Sequence, residues 1–132
     1  MGMQRIQLSL SERILLATLH AVGPDIIPST DNPRFHRALA QAAIKHRRLY
    51  REFAMGQREK NYGYSERLSA MLSALTLGGA LTFVGVSMHR RLARTEYAAA
   101  QFHTFTDAQQ IVIEDVAGKI REAYRSTPAA AA

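Results

Sequence analysis

Five histidines, His20, His36, His46, His89 and His103, are the residues of this 132-residue chain best suited to ligate a metal or relay a proton. Metal ligands on a helix come in spaced pairs such as His-x-x-x-His, which present two ring nitrogens on one face. None of the five has such a partner, so no metal site is expected. His89 is the best single candidate for a cofactor contact, because it stands at the edge of an apolar run where a haem or quinone would sit. The simpler reading is an interfacial polar cap, since a haem with two protein axial ligands needs its second one from elsewhere. No Ser, His and Asp arrangement, paired-carboxylate motif or Gly-rich phosphate loop is present, and Gly78-Gly79 lies inside the apolar run, where it is no phosphate cradle. Absence of Cys excludes disulfides and Cys-based zinc sites. The inventory therefore predicts a non-catalytic chain with no cofactor and no small-molecule substrate.

The element that dominates the sequence is Leu68 to Met88, 21 residues without a charge, a proline, an asparagine or a glutamine. At about 1.5 Å per residue a helix of that length covers roughly 30 Å, the hydrocarbon thickness of a bilayer. Glu66 and Arg67 precede it; His89, Arg90, Arg91 and Arg94 follow, and long basic side chains snorkel to lipid headgroups. Tyr62, Tyr64 and Tyr97 stand where interfacial aromatics gather. The alternative is a helix buried in a protein interior, but such a helix normally carries a charged stripe, and none appears across five turns. The run is therefore expected to span a membrane. Within it Ala70, Ala74, Gly78 and Thr82 recur every fourth residue, a small-residue face of the kind that packs helices together in lipid. Arg67, Arg90, Arg91 and Arg94 are the expected contacts to lipid headgroups or an acidic partner.

The flanks must then be helical arms. Residues 1–67 hold 11 Lys and Arg against 6 Asp and Glu, and residues 89–132 hold 6 against 5, so the net charge of +6 lies almost wholly before the run. Met1 to His20 is basic, acid-poor and amphipathic, with Ser11 as a cap, which resembles a mitochondrial targeting sequence. Gly23 to Pro33 reads as a connector. Asn32 and Pro33 should open a helix running to about Glu59, with Phe35, Leu39, Ala42, His46, Leu49 and Phe53 on its apolar stripe. Lys60 to Tyr64 breaks the pattern. The membrane helix should continue through Arg90 to Phe102, and a capping box, Thr106 with Gln109, should start the last helix, whose apolar side is Ile113, Val116, Ile120 and Tyr124. The expected fold class is all-α: a single transmembrane helix, short amphipathic helices on both sides, and no independent globular core. Its parts are a basic arm over 1–64, the membrane helix and its aqueous extension over 65–103, and a C-terminal helix and tail over 104–132.

Two resemblances bear on function. Leu49, Tyr50 and Arg51 form the triplet of the LYR family, small basic helical proteins of mitochondria that bind acyl carrier protein. That family places its triplet early in a three-helix bundle ahead of a second Arg-rich helix, whereas here an apolar run follows, so Leu49 and Phe53 are read as packing residues. The whole plan, one span with short basic arms, resembles accessory subunits of mitochondrial inner-membrane complexes. That likeness implies a subunit that stabilises a respiratory-chain complex, or ATP synthase as the second choice. Its partners would be other subunits and anionic lipids such as cardiolipin. Within about 20 residues of the run, five cations precede it and three follow, which places the N-terminal side in the matrix. A mitochondrial ribosomal or nucleic-acid binder using the Arg34 to Arg67 arm on phosphates is a reading from another class, and the uncharged span argues against it, so no nucleic-acid partner is expected.

Overall fold

Ser9, not Ser11, starts the first helix. Its hydroxyl accepts the Glu12 amide at 3.1 Å, and the Glu12 carboxylate accepts the Ser9 amide at 2.9 Å, a reciprocal cap. The helix, α1, runs Leu10–Val22 and closes where the Gly23 amide donates to the Leu19 carbonyl. The computed structural model describes residues 8–24, 26, 28, 33–84 and 90–126. Beyond α1 these form α2 (Pro33–Ala42), α3 (Gln57–Tyr62), α4 (Glu66–Leu77), the strands β1 (Leu81–Phe83) and β2 (Arg90–Leu92), α5 (Thr95–His103) and α6 (Asp107–Ser126). Pro33 opens α2 as expected; Asn32, His89 and the tail from Thr127 lie outside the described residues, as do residues 1–7.

The expected transmembrane helix is not formed. Among the described residues no helix is long and apolar enough to cross a membrane. The run divides instead. Residues 68–77 belong to α4, Gly78 and Gly79 turn the chain, residues 81–83 form β1, and 85–88 lie outside the described residues. The Gly78 amide closes α4 on the Ala74 carbonyl, and Gly79 follows at φ 84°, a left-handed conformation that glycine adopts without a Cβ penalty. Leu81, Thr82 and Phe83 then suit a pleated strand, and β1 pairs antiparallel with β2, Thr82 opposite Arg91. The charge argument failed because α4 has its outward face after all. Leu68, Leu72 and Leu75 are buried while Ala70, Ser73 and Ala74 are exposed, so small uncharged residues make a solvent face that a search for charges does not see. The helix expected from Arg90 to Phe102 is likewise split into β2 and α5.

In place of an isolated span there is a core, and α1 is its axis. Ile14 to Leu19 are six consecutive buried residues, so α1 is covered on all sides rather than along one stripe. Arg13 reaches Thr104 at 2.7 Å, just ahead of α6, while Arg121 donates to the Ala21 carbonyl at 2.6 Å, so α1 and α6 run parallel. Arg34 donates to the Tyr124 carbonyl and His46 meets Asp115, which sets α2 antiparallel to α6. The capping box of α6 forms as expected, Gln109 donating its amide to Thr106 Oγ1 and Thr106 its amide to Gln109 Oε1. Ile113, Val116 and Ile120 are fully buried, and Tyr124 is half-buried beneath the Arg34 guanidinium.

The helix expected to reach Glu59 stops at Ala42. Beyond it, 3-10 turns at Ile44–His46 and Arg51–Phe53 carry Tyr50 and Phe53 inward together, their rings 5.4 Å apart. Tyr50 is 1% exposed, and its hydroxyl lies 2.6 Å from that of Thr18 on α1. The Thr18 hydroxyl donates its single proton to the Ile14 carbonyl, so Tyr50 must be the donor to Thr18. Burial holds the Tyr50 phenol far above its ordinary pKa, with the Thr18 contact opposing in part, so it is neutral at any physiological pH.

Because the donor is known, the two deletions differ. Tyr50→Phe removes a donor and leaves Thr18 with its own acceptor, a loss of about 1 kcal/mol; Thr18→Val strands a buried phenol, a loss of about 1–3 kcal/mol. Urea unfolding should rank Thr18→Val below Tyr50→Phe, with the double variant no less stable than Thr18→Val alone. The reverse order would assign the proton the other way.

Candidate functional site

The densest run of exposed cations among the described residues is not at the apolar run but in the segment that replaces the second half of the expected long helix. Between Ala42 and Gln57 the backbone leaves the α-helix, and its fixed points are side chains. Tyr50 and Phe53 are in the core, His46 Nε2 sits 2.7 Å from Asp115 Oδ2 on α6, and Glu52 meets Arg67 of α4 at 2.8 Å. Between these anchors Lys45, Arg47, Arg48 and Arg51 are exposed. Arg58 and Lys60, exposed on α3, extend the same positive stretch.

Three carboxylates on this segment and its neighbours are already engaged. Glu52 is taken by Arg67. Asp115 is shared between His46 and Lys119, the latter at 3.1 Å, and the His46 contact foremost holds its carboxyl below the ordinary range. Glu59 ties two helix starts together: Oε1 accepts the Gly56 amide at 3.0 Å, and Oε2 accepts the Glu66 amide at 2.7 Å. The Gly56 amide and then the Glu66 amide lower its pKa. With these carboxylates occupied, the four cations of the turn segment are left to face solvent, and their field attracts anions.

The residues singled out from sequence are dispersed by the fold. Of the small-residue set, Ala70 and Ala74 are exposed on α4, Gly78 is that helix's C-cap and Thr82 is in β1, so the four share no helix face. Of the basic set, Arg67 is paired within the chain to Glu52. Arg90 is only 3% exposed; its Nε donates to Thr76 Oγ1 at 2.8 Å and its guanidinium lies 4.8 Å from the Phe83 ring centre. Arg91 is exposed across from Thr82, and Arg94 is exposed with its guanidinium 5.3 Å from the Tyr97 ring centre. Of the Leu49, Tyr50 and Arg51 triplet, Leu49 is half-buried, Tyr50 buried and Arg51 exposed. His36 is fully buried, its Nδ1 accepting the Ser65 amide at 3.0 Å. Among the described residues no three His, Asp or Glu side chains gather as a metal would require.

Sequence reasoning saw the basic arm but not which part of it would be bare. That depended on Glu52 and Glu59 being engaged by residues 15 and 7 positions away, separations that no local pattern encodes.

Glu59 has a depressed folded pKa, so its contribution is present above the ordinary value of 4.5 and is lost as pH falls through the folded value. Glu59→Gln can accept only one of the two amides. It should therefore lower the thermal midpoint at neutral pH, and the gap to the unaltered chain should narrow as pH falls below 4.5 and through the lowered folded value, where the carboxylate is lost from the unaltered chain too. A gap that persists in acid would show that the two amides do not depend on the charge. Compared with known proteins, the chain finds no matching family model, no matching curated protein and no matching solved structure.

Proposed function

We propose that this chain is a non-catalytic helical module that holds the phosphate backbone of a nucleic acid along the segment Lys45 to Arg51. The observation that supports this reading is the exposure of four cations within seven residues, on a stretch whose ends are pinned by Tyr50, Phe53 and the His46–Asp115 contact. Pinning lowers the ordering entropy lost on binding. The expectation of no nucleic-acid partner rested on the uncharged run being a membrane helix, and α4 with its hairpin removes that objection. No base-reading motif accompanies the cations, so the binding is to backbone and insensitive to sequence.

Phosphate neutralisation releases counterions, and the affinity falls with salt in proportion to the contacts made. Four contacts to duplex give a slope of log K against log salt of about −3 to −4. Fluorescence-polarisation titrations at several salt concentrations should show that slope, and each of Lys45→Gln, Arg47→Gln, Arg48→Gln and Arg51→Gln should reduce it by about one. A slope near zero, or a fourfold variant that binds as the unaltered chain does, would sink the reading.

A second reading is favoured by a different observation. Leu77, at the end of α4, is 90% exposed and Phe83 is 47% exposed, more apolar surface than an isolated helix end needs. On this reading the chain is an accessory subunit of a multi-subunit assembly, held there by other subunits rather than by a span of its own. Proteins that co-purify with the unaltered chain and are lost with Leu77→Glu support it; the same set retained by that variant counts against it.

A further inference from the structure

The C-terminal end of α1, the described residues Gly23, Pro24, Ile26 and Pro28, and the strands β1 and β2 line an open cleft of about 720 Å³, within the range of roughly 300–1,000 Å³ typical of small-ligand sites. Its walls are apolar where Leu19, Ile26, Val84 and Leu92 line it. Its polar groups are few. His20 comes from α1, its ring centre 5.6 Å from that of Phe102, Thr82 and Arg91 come from the hairpin, and Thr95 from the start of α5. Thr82 and Arg91 are directly opposed in the antiparallel register, so their side chains stand on one face of the hairpin, and both line the cleft. Arg91 has no ion-pair or hydrogen-bond partner for its guanidinium among the described residues, and no Asp or Glu is among the described residues of the lining.

The geometry points to a binding site for a medium-chain monocarboxylate, its head on Arg91 and its alkyl chain along the walls made by Leu19, Ile26 and Val84. A planar guanidinium presents two parallel N–H groups that match the two oxygens of a carboxylate. Thr82 supplies a hydroxyl donor across the strand pair from the guanidinium. The walls remove the alkyl chain from water, so affinity rises with chain length. This assignment is independent of the proposed nucleic-acid surface, which uses Lys45 to Arg51.

Decanoate, used below its micelle concentration, is the probe for isothermal titration against the full chain. Binding should weaken by about tenfold or more for Arg91→Gln, the loss expected when a charge-assisted pair worth about 1.5–3 kcal/mol is removed. Decanol should bind more weakly than decanoate to the unaltered chain and equally to both chains. Ala93→Trp, which fills the cleft from an exposed position on its lining, should abolish decanoate binding. The fourfold Gln variant of Lys45, Arg47, Arg48 and Arg51 should bind decanoate as the unaltered chain does. Equal affinity of Arg91→Gln for decanoate, decanol binding as tightly as decanoate, or indifference to Ala93→Trp would each overturn the assignment. Far-UV circular dichroism confirms that the exposed substitutions leave the fold intact.

Discussion

The hydroxyl of Thr18 is the polar group that the centre of this fold has to accommodate. It lies within six consecutive buried residues of α1, a helix covered on every side, and water does not reach it. A buried hydroxyl without a partner is unfavourable by a few kcal/mol, so the surrounding elements must supply one. Ile14 accepts its proton and Tyr50 donates to its oxygen. The second contact works the other way round: the Tyr50 phenol, carried into the core with Phe53 by the 3-10 turns on either side of it, finds its acceptor in Thr18. The same turns turn Lys45, Arg47, Arg48 and Arg51 outward. Burial of Tyr50 and Phe53 and exposure of these four cations are thus two sides of one turn segment.

Local patterns were legible where the physics is local. The reciprocal cap at Thr106 and Gln109, the helix start at Pro33 and the buried positions Ile113, Val116 and Ile120 follow from spacing alone, because a capping residue and an apolar stripe act within a turn or two. The apolar run misled for a physical reason. Alanine, serine, threonine and glycine are compatible with lipid, with a protein interior and with a solvent face, so a stretch built from them carries little information about its surroundings. Gly78-Gly79 was the better signal. Two adjacent glycines end a helix more readily than they continue one, and the Thr-Phe-Val that follows prefers a strand.

The candidate surfaces were legible unevenly. That the N-terminal half is basic is a matter of counting. Which cations are free depends on Arg67 taking Glu52 and on two backbone amides taking Glu59, both consequences of how α3 and α4 are placed. The cleft was less visible still, since Thr82 and Arg91 were assigned to different roles from sequence and become neighbours only through the hairpin register.

The axial helix also has a temporal consequence. Arg13 finds Thr104, and Ala21 finds Arg121, across separations of 91 and 100 residues. During synthesis at about 5–20 residues per second, α1 therefore emerges many seconds before α5 and α6 exist to enclose it. Its leucine-rich surface passes that interval bare, and contacts so distant in sequence close slowly even once the chain is complete. Enclosure of α1 therefore waits on the two segments that form α5 and α6, the last of the described elements to be made.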